Sequence, residues 1–134
     1  MNSSCIFCQI ATGKIPTQKI YENQQCLAFL DINPLSHGHT LIIPKKHYEN
    51  IFDIPTTKLK NIIIVAQEVA KMMKKRLGAS GANLLHASGR DAQQSVFHFH
   101  IHIVPRYLND KLNTWPNSRY QEKDIEKVQR ELCQ

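Results

Sequence analysis

The stretch Ser95-Val-Phe-His-Phe-His-Ile-His-Ile-Val-Pro-Arg106 constrains this chain more than any other. His98, His100 and His102 alternate with Phe97, Phe99, Ile101 and Ile103. Period-two alternation of aromatic and β-branched residues is the pattern of a half-buried strand. It predicts three imidazoles on one face, roughly 6.5–7 Å apart, with the four hydrophobes turned to a core. Pro105 is expected to end the run, because it cannot donate to a ladder. Three of the seven histidines thus stand on one rigid element. Such a row has three readings: a surface strand that happens to carry histidines, a metal site, or phosphoryl and nucleotidyl transfer through a histidine nucleophile.

At 134 residues the chain suits one domain with a modest core, the last stretch (residues 107–134) forming a polar tail after residues 1–106. No apolar run approaches the roughly 18 residues of a membrane span. Met1-Asn-Ser-Ser-Cys5 lacks the basic start and apolar segment of a secretory leader, so a cytoplasmic protein is expected. Seventeen Lys and Arg against eleven Asp and Glu favour anionic partners. No compact basic strip interleaved with aromatics marks a nucleic-acid surface. The densest basic cluster, Lys71–Arg76, closes a predicted helix, where cations suit the dipole.

Short strands are predicted at Gln18–Tyr21, Cys26–Asp31, Thr40–Pro44 and Gly81–Leu85, with Glu22–Gln25 as a hairpin turn. Pro55–Leu77 reads as the one long helix: Leu59, Ile62, Ile63, Ala66, Val69, Ala70, Met73 and Leu77 follow the helical repeat. Thr56 or Thr57 is expected to cap its start and Gly78 its end. A further helix is expected over Gln121–Leu132. Five strands, one long helix and hairpin-length turns imply an α+β fold, a mostly antiparallel sheet with the helix on one face.

Cys5-Ile-Phe-Cys8 leaves zinc, redox chemistry and chance open. A thioredoxin-type site needs a strand before the motif and a long helix after it, which disfavours redox. Zinc needs two more ligands, for which His47 and His98 are candidates. Cys26 is expected to be a small buried hydrophobe, and Cys133 lies in the tail.

His98-Phe-His-Ile-His-Ile-Val104 has the form His-φ-His-φ-His-φ-φ and resembles the signature of the histidine triad (HIT) superfamily. Gln94-Ser95-Val96 resembles the phosphate-contacting segment of its nucleotide-binding branch. Ala28–His47, including Asp31, Gly38-His39 and Ile43-Pro-Lys-Lys-His47, is similar to another family block. The resemblance implies a homodimer that joins two sheets. It implies His100 as nucleophile, with His102 and Ser95 donating to the phosphate and His39 supporting them. It also implies Asp31 at the ribose hydroxyls, and Phe29, Ile32, Phe7 and Ile10 around the base, with Gln94 near the phosphate. A subset of bacterial-type members holds a structural zinc through residues matching Cys5, Cys8, His47 and His98. The implied activity is hydrolysis of purine nucleoside phosphoramidates (AMP or GMP conjugates) through a nucleotidyl-histidine. The alternatives are a dinucleoside polyphosphate hydrolase and a nucleotide-binding module with little catalysis. The chain departs from the family in three places. Ala87 stands where many relatives have a phosphate-positioning Asn, Gln93 stands where they have Gly, and a histidine at position 86 is unusual.

Overall fold

The computed structural model describes residues 3–134; Met1 and Asn2, part of the stretch read above for a leader, lie outside them. The elements run α1 (Ile6–Ala11), β1 (Lys19–Glu22), β2 (Cys26–Leu30), β3 (Thr40–Pro44), α2 (Thr56–Leu77), β4 (Gly81–Leu85), β5 (Ile101–Arg106) and α3 (Ile125–Leu132). The five strands form one sheet in the order β1-β2-β3-β5-β4, every neighbouring pair antiparallel. The α+β architecture expected from the sequence is the one observed.

Side chains alternate across the sheet, and both faces of its central strands are covered, while β1 and β4 are more exposed. On one face Cys26, Ala28, Ile42, Phe99, Ile101 and Ile103 pack with Ile62, Val65, Ala66, Val69 and Met73 of α2. On the other, Leu27, Phe29, Leu41 and Ile43 pack with Phe7 of α1. β3 is therefore buried at all five positions, which explains its unbroken apolar run.

Several boundaries differ from expectation, each for a local reason. The β1–β2 turn is tightened by the Asn23 side chain, whose Oδ1 accepts from the main-chain N–H groups of Gln25 and Cys26 at 2.8 and 2.7 Å. Pro55, not a threonine, occupies the N-cap of α2, and no side chain caps it. Gly78 closes the helix at φ 74°, as expected. Val65 belongs to the core, whereas Ile63 and Leu77 are substantially exposed. Gly38 is favoured by its backbone: it sits at φ 92°, in the left-handed region, and a Cβ there would also have to displace the Leu77 side-chain tip. α3 starts at Ile125 because Asp124 caps it, accepting from Lys127 N–H at 3.0 Å.

The largest correction concerns the histidine segment. β5 begins only at Ile101, so His98 and His100 lie in a bent stretch before the ladder. The period-two alternation nonetheless carries through it. Phe99, Ile101 and Ile103 face α2, while the Phe7 ring meets those of His98 and His100 edge-on. Phe97, expected in the core, is half-buried with the Arg90 guanidinium 5.7 Å over its ring. Pro105 lies inside β5, opposite Ala82, past the last β3 pair, Thr40↔Ile103. No β3 residue needs its missing N–H there, and its carbonyl accepts from Ser36 Oγ at 2.7 Å.

Gln93 adopts φ 67°, a left-handed conformation that disfavours any residue with a Cβ. Gln93→Gly is expected to stabilise the fold by about 0.5–1 kcal/mol, read as a raised midpoint in urea unfolding.

Candidate functional site

Which nitrogen of each histidine carries its proton follows from its partner, because a carbonyl oxygen can only accept. His98 Nε2 lies 2.8 Å from Pro44 O, so Nε2 donates and Nδ1 keeps its lone pair. That lone pair faces two sulfurs, Cys5 Sγ at 3.4 Å and Cys8 Sγ at 3.5 Å. His47 Nδ1 lies 3.3 Å from Cys8 Sγ. The four ligand atoms all fall within 4.8 Å of one another. Tetrahedral zinc with bonds of about 2.3 Å to sulfur and 2.0–2.1 Å to nitrogen sets S···N near 3.5 Å. These residues therefore fit zinc in both donor set and spacing. Burial holds His98 down to about 4, keeping it the neutral imidazole a metal takes, although the Pro44 carbonyl opposes the shift.

Chain geometry brings the four ligands together. Cys5 caps α1, accepting from Cys8 N–H at 3.4 Å, and Cys8 sits one turn along. His47 follows β3 directly, and the Phe99 N–H donates to Tyr48 O at 2.6 Å, holding the loop after β3 against the histidine segment.

His100 is 2.8 Å from His98 O through Nδ1, so Nδ1 donates and Nε2 is unprotonated. The ring is buried, and burial lowers its pKa below the usual histidine value. Phe7 packs edge-on against it, centroids 5.1 Å apart, and Phe7 in turn meets Phe29 at 5.7 Å. A neutral imidazole with a fixed lone pair is equipped for nucleophilic attack.

His102 takes the opposite tautomer through a relay. Leu35 N–H donates to His39 Nδ1 at 3.0 Å, so His39 Nε2 bears its proton. His39 Nε2 then donates to His102 Nδ1 at 2.9 Å, leaving His102 Nε2–H as a donor. Asp31 Oδ2 stands 3.6 Å from His39 Nε2 and 4.0 Å from His102 Nδ1, and its Oδ1 accepts from Asn33 N–H at 2.8 Å. Asp31, His39 and His102 are thus a second cluster with converging donor atoms. Its hydrogen bonds oppose a metal: an ion on His39 Nε2 would drive the proton to Nδ1, against the Leu35 N–H.

The remaining sequence-predicted residues are unevenly placed. Phe7 and Phe29 are buried, and Ile10 packs half-buried against their cluster. Ile32 is 89% exposed, an uncovered apolar side chain next to Asp31. Ser95 is exposed on the loop before the triad. Gln94, expected at a phosphate, has its amide engaged by the chain. Oε1 accepts from Gly89 N–H at 2.8 Å, and Nε2 donates to Glu49 O and Val96 O at 2.7 and 3.1 Å. It shapes the loop that carries Ser95. A cavity of about 450 Å³ lies elsewhere, between α2 and β1–β3, lined by Ile20, Leu30, Met72, Met73 and Leu77 among others. It is nearly all apolar and contains none of the triad.

Sequence reasoning missed a role for His86. Its Nδ1 donates to His100 O at 2.8 Å, and its Nε2 meets Ser88 Oγ. The available signal was its position immediately after β4, the strand paired with the triad strand.

Histidines held neutral by burial couple folding to pH. The pKa of His39 is lowered, and that of His102 is lowered to about 4, burial being the largest cause in each case. Between about pH 6.5 and 4 the unfolded chain binds protons that the folded chain does not. Stability is thus expected to be full above about 6.5 and to fall as the pH drops towards 4. Urea midpoints measured across that range check the direction.

The HIT domain family model matches residues 12–109. An uncharacterised HIT-like protein of Methanocaldococcus jannaschii is 48% identical over 106 residues, 79% of this chain and 81% of its own length. The HINT3 adenylylsulfatase of Arabidopsis thaliana is 41% identical over 112 residues, 84% of this chain and 57% of that protein. The crystal structure of a zinc-bound histidine triad family protein from Mycobacterium smegmatis superposes with a TM-score of 0.79 at 39% identity, covering 95% of this chain and 88% of that one. Fold, histidine geometry and these likenesses agree, and the chain belongs to the HIT domain family.

Proposed function

We propose that this protein is a nucleotide-binding hydrolase acting on purine nucleoside phosphoramidates, AMP or GMP conjugates, through a nucleotidyl-histidine intermediate. The observation that carries the reading is the hydrogen bond from His100 Nδ1 to His98 O, which leaves Nε2 unprotonated. Its neighbour His102, 5.1 Å away between ring centroids, holds the opposite tautomer and offers an N–H. A lone pair beside a donor is what in-line displacement at phosphorus requires. The adenylylsulfatase name of the Arabidopsis relative supports hydrolysis of an adenylyl conjugate.

In the first step His100 Nε2 attacks the α-phosphorus. The new N–P bond forms as the substrate's P–N bond breaks, and the amine leaves with a proton taken from solvent, which the attacking water returns in the second step. His102 Nε2–H and Ser95 stabilise the charge on the non-bridging oxygens. In the second step water attacks the same phosphorus, releasing nucleoside monophosphate and restoring neutral His100. Asp31 accepts from the ribose hydroxyls, and the base lies against the apolar side formed by Phe7, Ile10, Phe29 and Ile32. A single domain suffices for this chemistry in each copy. A homodimer belongs to the same reading, since β4 is a sheet edge whose outer side is unpaired among the described residues.

Cys5, Cys8, His47 and His98 would hold a structural zinc. When bound, the ion supplies crosslinking alone, tying α1 and the loop after β3 to the histidine segment. Purified protein is expected to carry about one zinc per chain by metal analysis. Chelation, or Cys5→Ser, is expected to lower the melting temperature. Metal-free protein of unchanged stability would refute the assignment.

The nucleophile is tested by acid-quenched mass spectrometry of protein mixed with an adenosine phosphoramidate. Wild type is expected to show an adenylyl adduct on His100. His100→Gly is expected to lose the adduct while still binding nucleotide. His102→Ala is expected to retain the adduct but form it on the order of a hundredfold more slowly. An adduct on another histidine overturns the assignment. Binding without adduct or turnover in the wild type favours a binding module, and faster turnover of a dinucleoside tetraphosphate favours the sister chemistry.

A further inference from the structure

The β4–β5 ladder runs from Gly81↔Arg106 to Leu85↔His102 and stops there. Continued in the same register it would set Ala87 opposite His100, but β4 ends at Leu85 and the main chain turns away. The carbonyl of His100 is taken up by a side chain instead. His86 Nδ1 donates to it at 2.8 Å. Because that nitrogen must donate, Nε2 accepts, and the Ser88 hydroxyl supplies the proton. Ser88 Oγ in turn accepts from Ile51 N–H at 2.9 Å. The chain Ile51 N–H to Ser88 to His86 to His100 O is closed, with one donor for each acceptor. The His86 ring also lies over that of Phe99, centroids 4.6 Å apart and planes 31° apart.

His100 sits where ladder hydrogen bonds are missing, so its orientation depends on what else grips its main chain. Phe99 N–H is held by Tyr48 O on one side, and His100 O is held by His86 on the other. Phe99 faces the α2 core, so His86 grips the backbone from behind the sheet, leaving the substrate side free. We propose that His86 is a positioning residue for the reaction, fixing the main chain at His100 and thereby aiming Nε2 at the phosphorus. This rests on the reading of His100 as nucleophile. An error of about 1 Å in aim is enough to cost as much as a hundredfold in rate.

Two variants test it. His86→Phe keeps a ring to stack on Phe99 but loses the donor; His86→Gln restores a donor without the ring. The readouts are the rate of adenylyl-adduct formation in single-turnover mass spectra, the nucleotide dissociation constant and the melting temperature. His86→Phe is expected to slow adduct formation about tenfold to a hundredfold, with nucleotide affinity within about twofold of wild type. His86→Gln is expected to recover most of the rate. An undiminished rate in His86→Phe overturns the proposal, as does a loss of rate, affinity and melting temperature together in both variants. Nitrogen-15 imidazole spectra give a readout independent of turnover: His86 is expected as the Nδ1–H tautomer, and an Nε2–H tautomer overturns the contact. Failure of the nucleophile reading is distinguishable, because the wild type itself would then lack a His100 adduct.

Discussion

The hydrogen bond from His100 Nδ1 to the carbonyl of His98 is the constraint on which the site depends. A carbonyl inside a ladder is taken by the neighbouring strand. His98 O is available because the β3–β5 pairing stops at Ile42↔Ile101, and the chain bends before it. The break in the strand is thus a condition of that hydrogen bond rather than a defect in the sheet. With Nδ1 committed, His100 has one nitrogen left, and it carries the lone pair. The same logic assigns His98 and His102. Three identical side chains in alternation acquire three different roles, because His98 donates through Nε2 to Pro44 O, His100 donates through Nδ1 to His98 O, and His102 accepts through Nδ1 from His39 Nε2.

α1 matters to that arrangement out of proportion to its length. Six residues are too few to form a stable helix in isolation. It is held by burial of Phe7 and Cys8 and by the convergence of the cysteines on His47 and His98. Phe7 is the link between the two clusters: its ring edges contact His98, His100 and Phe29. A grip on Cys5 and Cys8 is therefore also a grip on the wall beside His100. The proposed zinc on the Cys/His cluster would hold down an element that its own small apolar area holds weakly.

Much of this was legible in the sequence, because burial on one face of a strand or helix leaves a periodic trace. β2, β3, β4 and α2 were visible within a residue or two, and the three triad histidines were visible as a row. What escaped was set by contacts without a period. α1 has no repeat to detect. The start of β5 at Ile101 depends on a hydrogen bond from Phe99 to Tyr48, fifty-one positions earlier in the chain. Ile63 and Leu77 fit the helical pattern yet remain exposed, since periodicity gives a stripe's direction but not the width of the core beneath it. Gln94 matches a phosphate-contacting position by motif, yet its amide is spent on Gly89, Glu49 and Val96. A motif shows which residue type stands at a place, not whether its polar atoms are free.

Two polar chains converge on the histidine strand, and each begins at a main-chain N–H. One runs from Leu35 through His39 to His102, the other from Ile51 through Ser88 and His86 to the carbonyl of His100. Starting from an N–H fixes the direction of every bond that follows. A proton added at His39 Nδ1 would point at the Leu35 N–H, and one added at His102 Nδ1 would point at His39 Nε2–H. Neither ring can take a second proton without breaking a bond already made. Asp31, 3.6 Å from His39, pulls the other way and raises the pKa, yet both rings stay below the usual value. Burial supplies the larger part of that shift, and the connectivity of the relay opposes protonation at the same atoms. Asp31 Oδ2 thus stands beside two imidazoles that burial keeps neutral, an acceptor on the side of the sheet where His100 lies.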